Sequence, residues 1–342
     1  KDGDLGRDWL KGNAAPSGPY RLVEWRPTDI VVTERVEGYW GGQPAMRRVI
    51  MRHIPESGNL RLQLEAGDVD VGQYVGAGDL ESLAKNPDVT IQSVPGFGFY
   101  YIALNMKDPD LQKPLVRQAF RHVLDWRALS EANMRFNGFP WQSIIPKGMA
   151  GAGNGEIFYE FDPEKAKRLL AEAGYPNGLK KKLFPASNTT HLPNTESLQA
   201  TARLAGIELE LIPGNHVPAF RNREFEVYMG NSGGRLPDPF ATATHYAFNP
   251  DNRDEAKLGG YYMWRTAWDV PELTELTNRS KRESDPAKRA AIFRELDERY
   301  RALDPSLIVF WQRTDPYVVR KEVKGYQGHQ AWSTRWDAVT KD

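Results

Sequence analysis

Apolar positions cluster in Tyr20–Trp25 (YRLVEW) and Asp29–Val36 (DIVVTERV), which read as two strands around the turn signal RPTD. A third run, Arg47–Ile54 (RRVIMRHI), follows the glycine-rich break YWGGQP. The period then changes. In Ser57–Gly72 (SGNLRLQLEAGDVDVG), Leu60 and Leu64 fall one helical turn apart, Ser57 is a candidate N-cap and Gly67 a stop. The closing VDVG fits a short buried strand. Strand, helix, strand in that order has α/β character.

The pattern continues with an apolar strand, FGFYYIALNM. Pro114–Met134 reads as one helix, with Val116, Ala119, Phe120, Val123 and Leu124 on one face. Asp162 and Pro163 predict the cap and first turn of a helix that Gly174 closes, and Asp285 and Pro286 repeat the device. PSLIVFWQ is a last strand, rich in β-branched and aromatic residues. The segments around the two Asp-Pro helices differ, so they do not form a repeat. The expected architecture is two α/β lobes, with the chain crossing near Gly96–Tyr101 and Asp315–Val318.

Length agrees with that count, since 342 residues at roughly 150 per domain gives two cores. Charge removes several partners. Lys+Arg and Asp+Glu are both 45, which argues against a basic nucleic-acid surface or a polybasic membrane anchor. Apolar runs fall short of the roughly 18–20 residues of a spanning helix, so the expectation is a soluble chain, cytosolic or already processed. The absence of cysteine excludes disulfides, cysteine-rich zinc sites and thiol catalysis. Ten Trp and 14 Tyr allow a large amphipathic cavity, or simply core and surface.

Candidate chemistry centres on Met229–Pro239, MGNSGGRLPDP, where NSGG resembles a nucleophile loop. A Ser-His-Asp hydrolase needs a histidine beside the serine. The six histidines, His53, His122, His191, His216, His245 and His329, are scattered. A G-x-S-x-G elbow needs the serine at a sharp strand-to-helix turn, and the prolines of RLPDP oppose an immediate helix. Ser232 is therefore not read as catalytic. GAGNG at Gly151–Gly155 lacks a preceding strand and the full dinucleotide spacing, so it reads as a loop. No metal motif appears, and neither metal nor cofactor is expected. A glycosidase carboxylate pair has no motif in its favour, and Glu–Lys helix faces account for the acids better.

Several segments occur in the order of one family: SGPYRLVEWRPTDIVVTERVEGYWGGQP, LQLEAGDVDV, YYIALN, LVRQAFRHVLD, FDPEKAKRLLAEAGYPNG, PDP, DPAKRAAIFRELDERY and RKEVKGY. From Gly18 to Tyr326 the chain resembles the extracellular solute-binding proteins of the oligopeptide- and dipeptide-binding type (family 5), which serve ABC importers. The resemblance implies an α/β, two-lobed, type II periplasmic binding protein-like fold, here with an incomplete lobe I and a complete lobe II. It implies lobe I at residues 1–97, lobe II at 98–316 and a return to lobe I at 317–342. It further implies a C-terminal portion of a longer family member, and a monomer in the periplasm, or outside a Gram-positive cell at its membrane. The partners implied are a peptide or small-molecule ligand and ABC permease subunits, with no nucleic acid and no chemistry on the ligand. A non-peptide, anionic solute is the alternative within that class, and a hydrolase on a two-lobed scaffold the alternative outside it.

Family members carry a ligand strand that reads like FDxxLMGWxADYPDP, whose acid binds the ligand's ammonium. This chain reads FEVYMGNSGGRLPDP. Without gaps, Asn231 falls on the usual Gly, Ser232 on the usual Trp and Arg235 on the usual Asp, and shifting the gap puts Gly234 there instead. An Arg in that place repels an ammonium and offers a planar fork to an anion. The alternative is that Arg235 faces solvent or pairs with a neighbouring acid. The expected ligand stretch is thus Asn231, Ser232, Gly233, Gly234 and Arg235. Position alone adds Tyr100 and Tyr101 after the first crossing, His245 and Tyr246 after the Pro-Asp-Pro turn, and Trp264 with Tyr261 and Tyr262 in a Gly-flanked loop.

Overall fold

A computed structural model describes residues 3–13, 15–187, 192–234, 236–329 and 335–342. The chain divides into two compact units, Lys1–Val94 with Asp315–Asp342, and Pro95–Thr314. In order, the elements are α1 (Arg7–Leu10), β1 (Tyr20–Arg26), β2 (Ile30–Arg35), β3 (Arg48–Arg52), α2 (Ser57–Ala66), β4 (Val71–Gln73), α3 (Ala77–Leu83) and β5 (Val89–Leu104). There follow α4 (Pro114–Phe120), α5 (Trp126–Leu129), β6 (Gly138–Pro140), α6 (Pro163–Glu172), β7 (Leu179–Pro185), α7 (Leu192–Leu204), β8 (Ile207–Leu211), α8 (Val217–Arg221) and β9 (Val227–Asn231). The rest are α9 (Pro239–Ala247), α10 (Tyr262–Arg265), α11 (Pro271–Arg282), α12 (Pro286–Ala302), β10 (Leu307–Arg320), β11 (Val323–Lys324) and β12 (Thr340–Lys341).

In the first unit, β1, β2 and β3 form an antiparallel meander. β4 pairs antiparallel with β10 through Tyr317–Val319, and β11 pairs with β12. Tyr317, Val319, Tyr326 and Val339 form its small core. The expected N-cap at Ser57 is not observed. Ser57 is already the first helical residue, Glu56 precedes it, and its hydroxyl instead donates to Asp79 and accepts the Gly76 N–H.

The second unit holds the large core. β9 lies between β5, with which it is antiparallel, and β7, with which it is parallel, and β8 extends the sheet in parallel beyond β7. β5 and β10 are longer than their sequence patterns suggested and contribute residues to both units. Each carries a proline at the unit boundary, Pro95 and Pro316, where no ladder N–H is available. Three helices are started by acids: Asp162 accepts the Lys165 N–H, Asp285 the Lys288 N–H and Asp238 the Phe240 N–H, each followed by proline at the first helical position. The single helix expected over Pro114–Met134 is broken. Asp125 accepts the Ala128 N–H at 3.0 Å and starts a new helix, α5, yet all five residues of the expected apolar face are buried. Among the described residues, no helix is long and apolar enough to cross a membrane.

Candidate functional site

Met229–Pro239 begins in β9 and continues past its end at Asn231. Tyr100 faces Asn231 and Tyr101 faces Gly230 across the β5–β9 ladder. Pairing then continues one residue further by a different means. The Ser232 N–H donates to the Phe99 carbonyl at 2.8 Å, while the Ser232 hydroxyl accepts the Phe99 N–H at 2.9 Å. The Tyr246 hydroxyl donates to the same oxygen at 2.9 Å. Burial raises the Tyr246 phenol well above its ordinary value, and the bond to Ser232 only partly opposes this, so it stays protonated and donating. Ser232 is 3% exposed, and neither of these partners is a base. Its hydroxyl closes the sheet where a backbone carbonyl would otherwise stand.

Two glycines allow the close approach. A Cβ on Gly98 would lie 2.1 Å from the Ser232 carbonyl, and one on Gly234 would lie 2.6 Å from the Phe97 carbonyl. Gly233 is exposed, with open space where its side chain would be. Asn231 and Gly234 are half-buried. Arg235 lies outside the described residues. The stretch is anchored at its far end by Asp238, whose carboxylate takes both terminal nitrogens of Arg289 at 2.9 and 3.0 Å. Burial alone would raise the Asp238 carboxyl, but the Arg289 and Phe240 hydrogen bonds outweigh it and hold it below its ordinary value. The Arg289 guanidinium also lies over the Phe293 ring.

The other expected site residues fall into two further groups. Tyr101 and Tyr246 are fully buried and meet edge to face at 6.0 Å, within a cluster that includes Phe220, Tyr228 and Tyr262. The His245 ring lies 5.3 Å from that of Tyr262. Burial, then the nearby Arg265 charge, lowers the His245 pKa. Trp264 belongs elsewhere: the Arg223 guanidinium lies 4.0 Å above its ring, and its indole N–H donates to the Arg253 carbonyl at 3.1 Å. The structure thus brings together Tyr100 and Asn231–Gly234, and places Tyr101, His245 and Tyr246 in the neighbouring aromatic cluster. Tyr100 is buried, and its ring approaches that of Phe310. Among the described residues no group of three or more His, Asp or Glu could hold a metal ion.

Sequence reading passed over Arg265, which reaches the aromatic cluster from the end of α10. Its only visible signal is a cation between two tryptophans in Trp264–Trp268, WRTAW. It also passed over Arg223, which binds the backbone at Trp264 and Asn252 and the carboxylate of Asp254.

Known proteins resemble this chain along most of its length. The family described as bacterial extracellular solute-binding proteins, family 5 middle, matches residues 1–254. The dipeptide-binding protein of Escherichia coli (strain K12) is 24% identical over 325 residues, covering 92% of this chain and 59% of that protein. The solved structure of HbpA2 from Haemophilus parasuis superposes with a TM-score of 0.80 at 24% identity, covering 95% of this chain and 64% of that one. AgaA of A. tumefacien R10, solved with agropinic acid, gives a TM-score of 0.76 at 25% identity, covering 99% of this chain and 70% of that one. The fold shared with these structures is the two-lobed type II binding-protein fold. This chain spans less than two thirds of the dipeptide-binding protein and of HbpA2.

Proposed function

From the premise that this chain belongs to the bacterial extracellular solute-binding proteins of family 5, we propose that it is the solute-capturing part of an ABC importer. It holds a peptide or related small solute and hands it to membrane permease subunits without altering it. The observation that carries this reading is the family match over residues 1–254, which runs through the β9 stretch. The chemistry of that stretch supports it. The Ser232 hydroxyl is committed to the Phe99 N–H and the Tyr246 hydroxyl, so it secures the backbone rather than presenting a nucleophile. Asn231, Gly233 and Gly234 are left as a short, side-chain-poor strand end, which suits backbone pairing with an extended ligand. We assign residues 1–97 and 317–342 to one lobe and 98–316 to the other, with the protein working as a monomer in the periplasm or at the outer face of the membrane.

AgaA, the 25%-identical relative, was solved with agropinic acid, and this favours a second reading in which the solute is a non-peptide acid. Arg235 replaces the family's usual acid in that reading and turns recognition from an ammonium to an anion. Native mass spectrometry of the protein purified without denaturant tests both. A bound small molecule, released intact on unfolding, is the expected result, and its composition separates peptide from acid. A protein that converts added peptides or glycosides would overturn the transport reading. Exchanging Arg235→Asp should shift preference toward amino-bearing solutes, and an unchanged preference would remove Arg235 from recognition.

A further inference from the structure

Arg265 is buried, with 8% of its surface exposed. Its Nε donates to the Gly259 carbonyl at 2.8 Å. Its guanidinium lies over two rings, 4.4 Å from the centre of Tyr262 and 4.9 Å from that of Phe220. Its two terminal nitrogens bind nothing else among the described residues, and they are not sealed from solvent. No described carboxylate pairs with it. A buried cation is ordinarily matched by an acid or by a full set of acceptors, because losing its hydration is costly. Here two nitrogens of a planar fork remain open to an incoming group.

The surroundings increase the imbalance. Arg221, exposed at the end of α8, and His245, half-buried on α9, both act on Arg265 or feel its charge, and neither forms a salt bridge among the described residues. The loop that meets the guanidinium is Gly259–Gly260, which brings a carbonyl but no side chain. A Cβ on Gly259 would come within 3.4 Å of the Arg221 backbone, so the two arginine-bearing segments converge there. Tyr262 lies beneath the Arg265 guanidinium and beside the His245 ring.

We propose that Arg265, flanked by Arg221 and His245, forms an anion site that takes the carboxylate of a small organic acid. The flat fork matches the two oxygens of a carboxylate, and the ring faces hold it in one orientation. The site stands on residues of the second unit alone and does not depend on which solute the protein carries. Binding places a negative charge beside His245, so its imidazole becomes easier to protonate.

The test is a titration of the intact protein with sodium succinate, against sodium chloride at matched ionic strength and against inorganic phosphate. It is read by thermal melting and by the NMR titration of the His245 ring. Succinate should raise the melting temperature beyond the chloride control, more than phosphate does, and should move the His245 pKa upward. Arg265→Met should abolish both effects, and Arg221→Gln should weaken binding by about tenfold, as expected for loss of one charge-assisted contact. If Arg265→Met does not fold, Arg221→Gln and the His245 titration decide the matter alone. Equal responses to succinate and chloride in the unaltered protein would overturn the proposal, as would a His245 pKa that succinate leaves unmoved.

Discussion

Arg223 and Arg265 are both buried in the second unit, and each holds its guanidinium over an aromatic ring. They differ in what they touch. Arg223 reaches the Trp264 carbonyl at 2.7 Å, the Asn252 carbonyl at 2.8 Å, the Asp254 carboxylate at 2.6 Å and the Asn252 side chain. Arg265 reaches one carbonyl. The first arginine joins three segments of chain, and its charge is spent within the fold. The second keeps most of its hydrogen-bonding capacity for something else. Burial alone does not separate a structural cation from a recognition cation; the partner inventory does.

The largest expected effect tests the satisfied side of this contrast. Arg223→Met should destabilise the protein by about 3 kcal/mol in urea unfolding, because it removes a buried arginine's bonds to the Trp264 and Asn252 carbonyls and to the Asn252 side chain, while the exposed Asp254 keeps Lys107. A cost below about 1 kcal/mol would mean that the network is ornamental. Ser232→Ala comes next, at about 2 kcal/mol, since it leaves the buried Phe99 N–H and Tyr246 hydroxyl without their acceptor. Arg265→Met should change stability by no more than about 1 kcal/mol in either direction. It gives up one hydrogen bond and two ring contacts of about 0.5–2 kcal/mol each, but also removes an uncompensated buried charge. Similar losses for Arg223→Met and Arg265→Met would erase the distinction.

Acid separates His245, beside Arg265, from Asp110, a carboxylate held in a satisfied ion pair elsewhere in the second unit. The His245 pKa is lowered in the folded protein, chiefly by burial and further by Arg265, so folding favours the neutral ring. That contribution is present above the unfolded value of about 6.5 and is lost as pH falls through the lower folded value. The Asp110 pKa is lowered by hydrogen bonds from Lys181 and Tyr175. Its contribution is therefore present above the unfolded value of about 4 and disappears only at still lower pH. Denaturant midpoints measured against pH should show two separate declines. His245→Gln should remove the one nearer neutrality, and Asp110→Asn the more acidic one.

Much of the frame was legible because local chemistry agreed with the fold. The strand runs at Tyr20–Trp25 and Asp29–Val36 and the Asp-Pro caps at Asp162 and Asp285 each report a short-range cause. β7 was not legible. Its sequence LKKKLFP carries three lysines, yet Lys181 points inward and is held by Asp108 at 2.6 Å and Asp110 at 2.8 Å. Burial alone would lower the Lys181 pKa, but these two acids outweigh it and raise the value. The acids lie some seventy residues earlier in sequence, so no local window reveals that this lysine counts as an inward position. Ser57 failed as a cap for a related reason: Asp79 and Gly76, distant in sequence, compete for its hydroxyl. The candidate site was legible as a stretch, through its glycines and its Ser, but not as contacts. Tyr101 and Trp264 stood out as aromatics near breaks in the chain, and only packing shows the first inside a ring cluster and the second beneath Arg223.

The central claim, that this chain holds a solute and leaves it unchanged, is tested most directly by melting the protein against a panel of dipeptides and small organic acids, agropinic acid among them, while each solute is followed by mass spectrometry. At a hundredfold excess over Kd, a true ligand should add about 2.7 kcal/mol of stability and be recovered intact after prolonged incubation. Recovery of a cleaved or otherwise altered solute, with the alteration lost in Ser232→Ala, would contradict it.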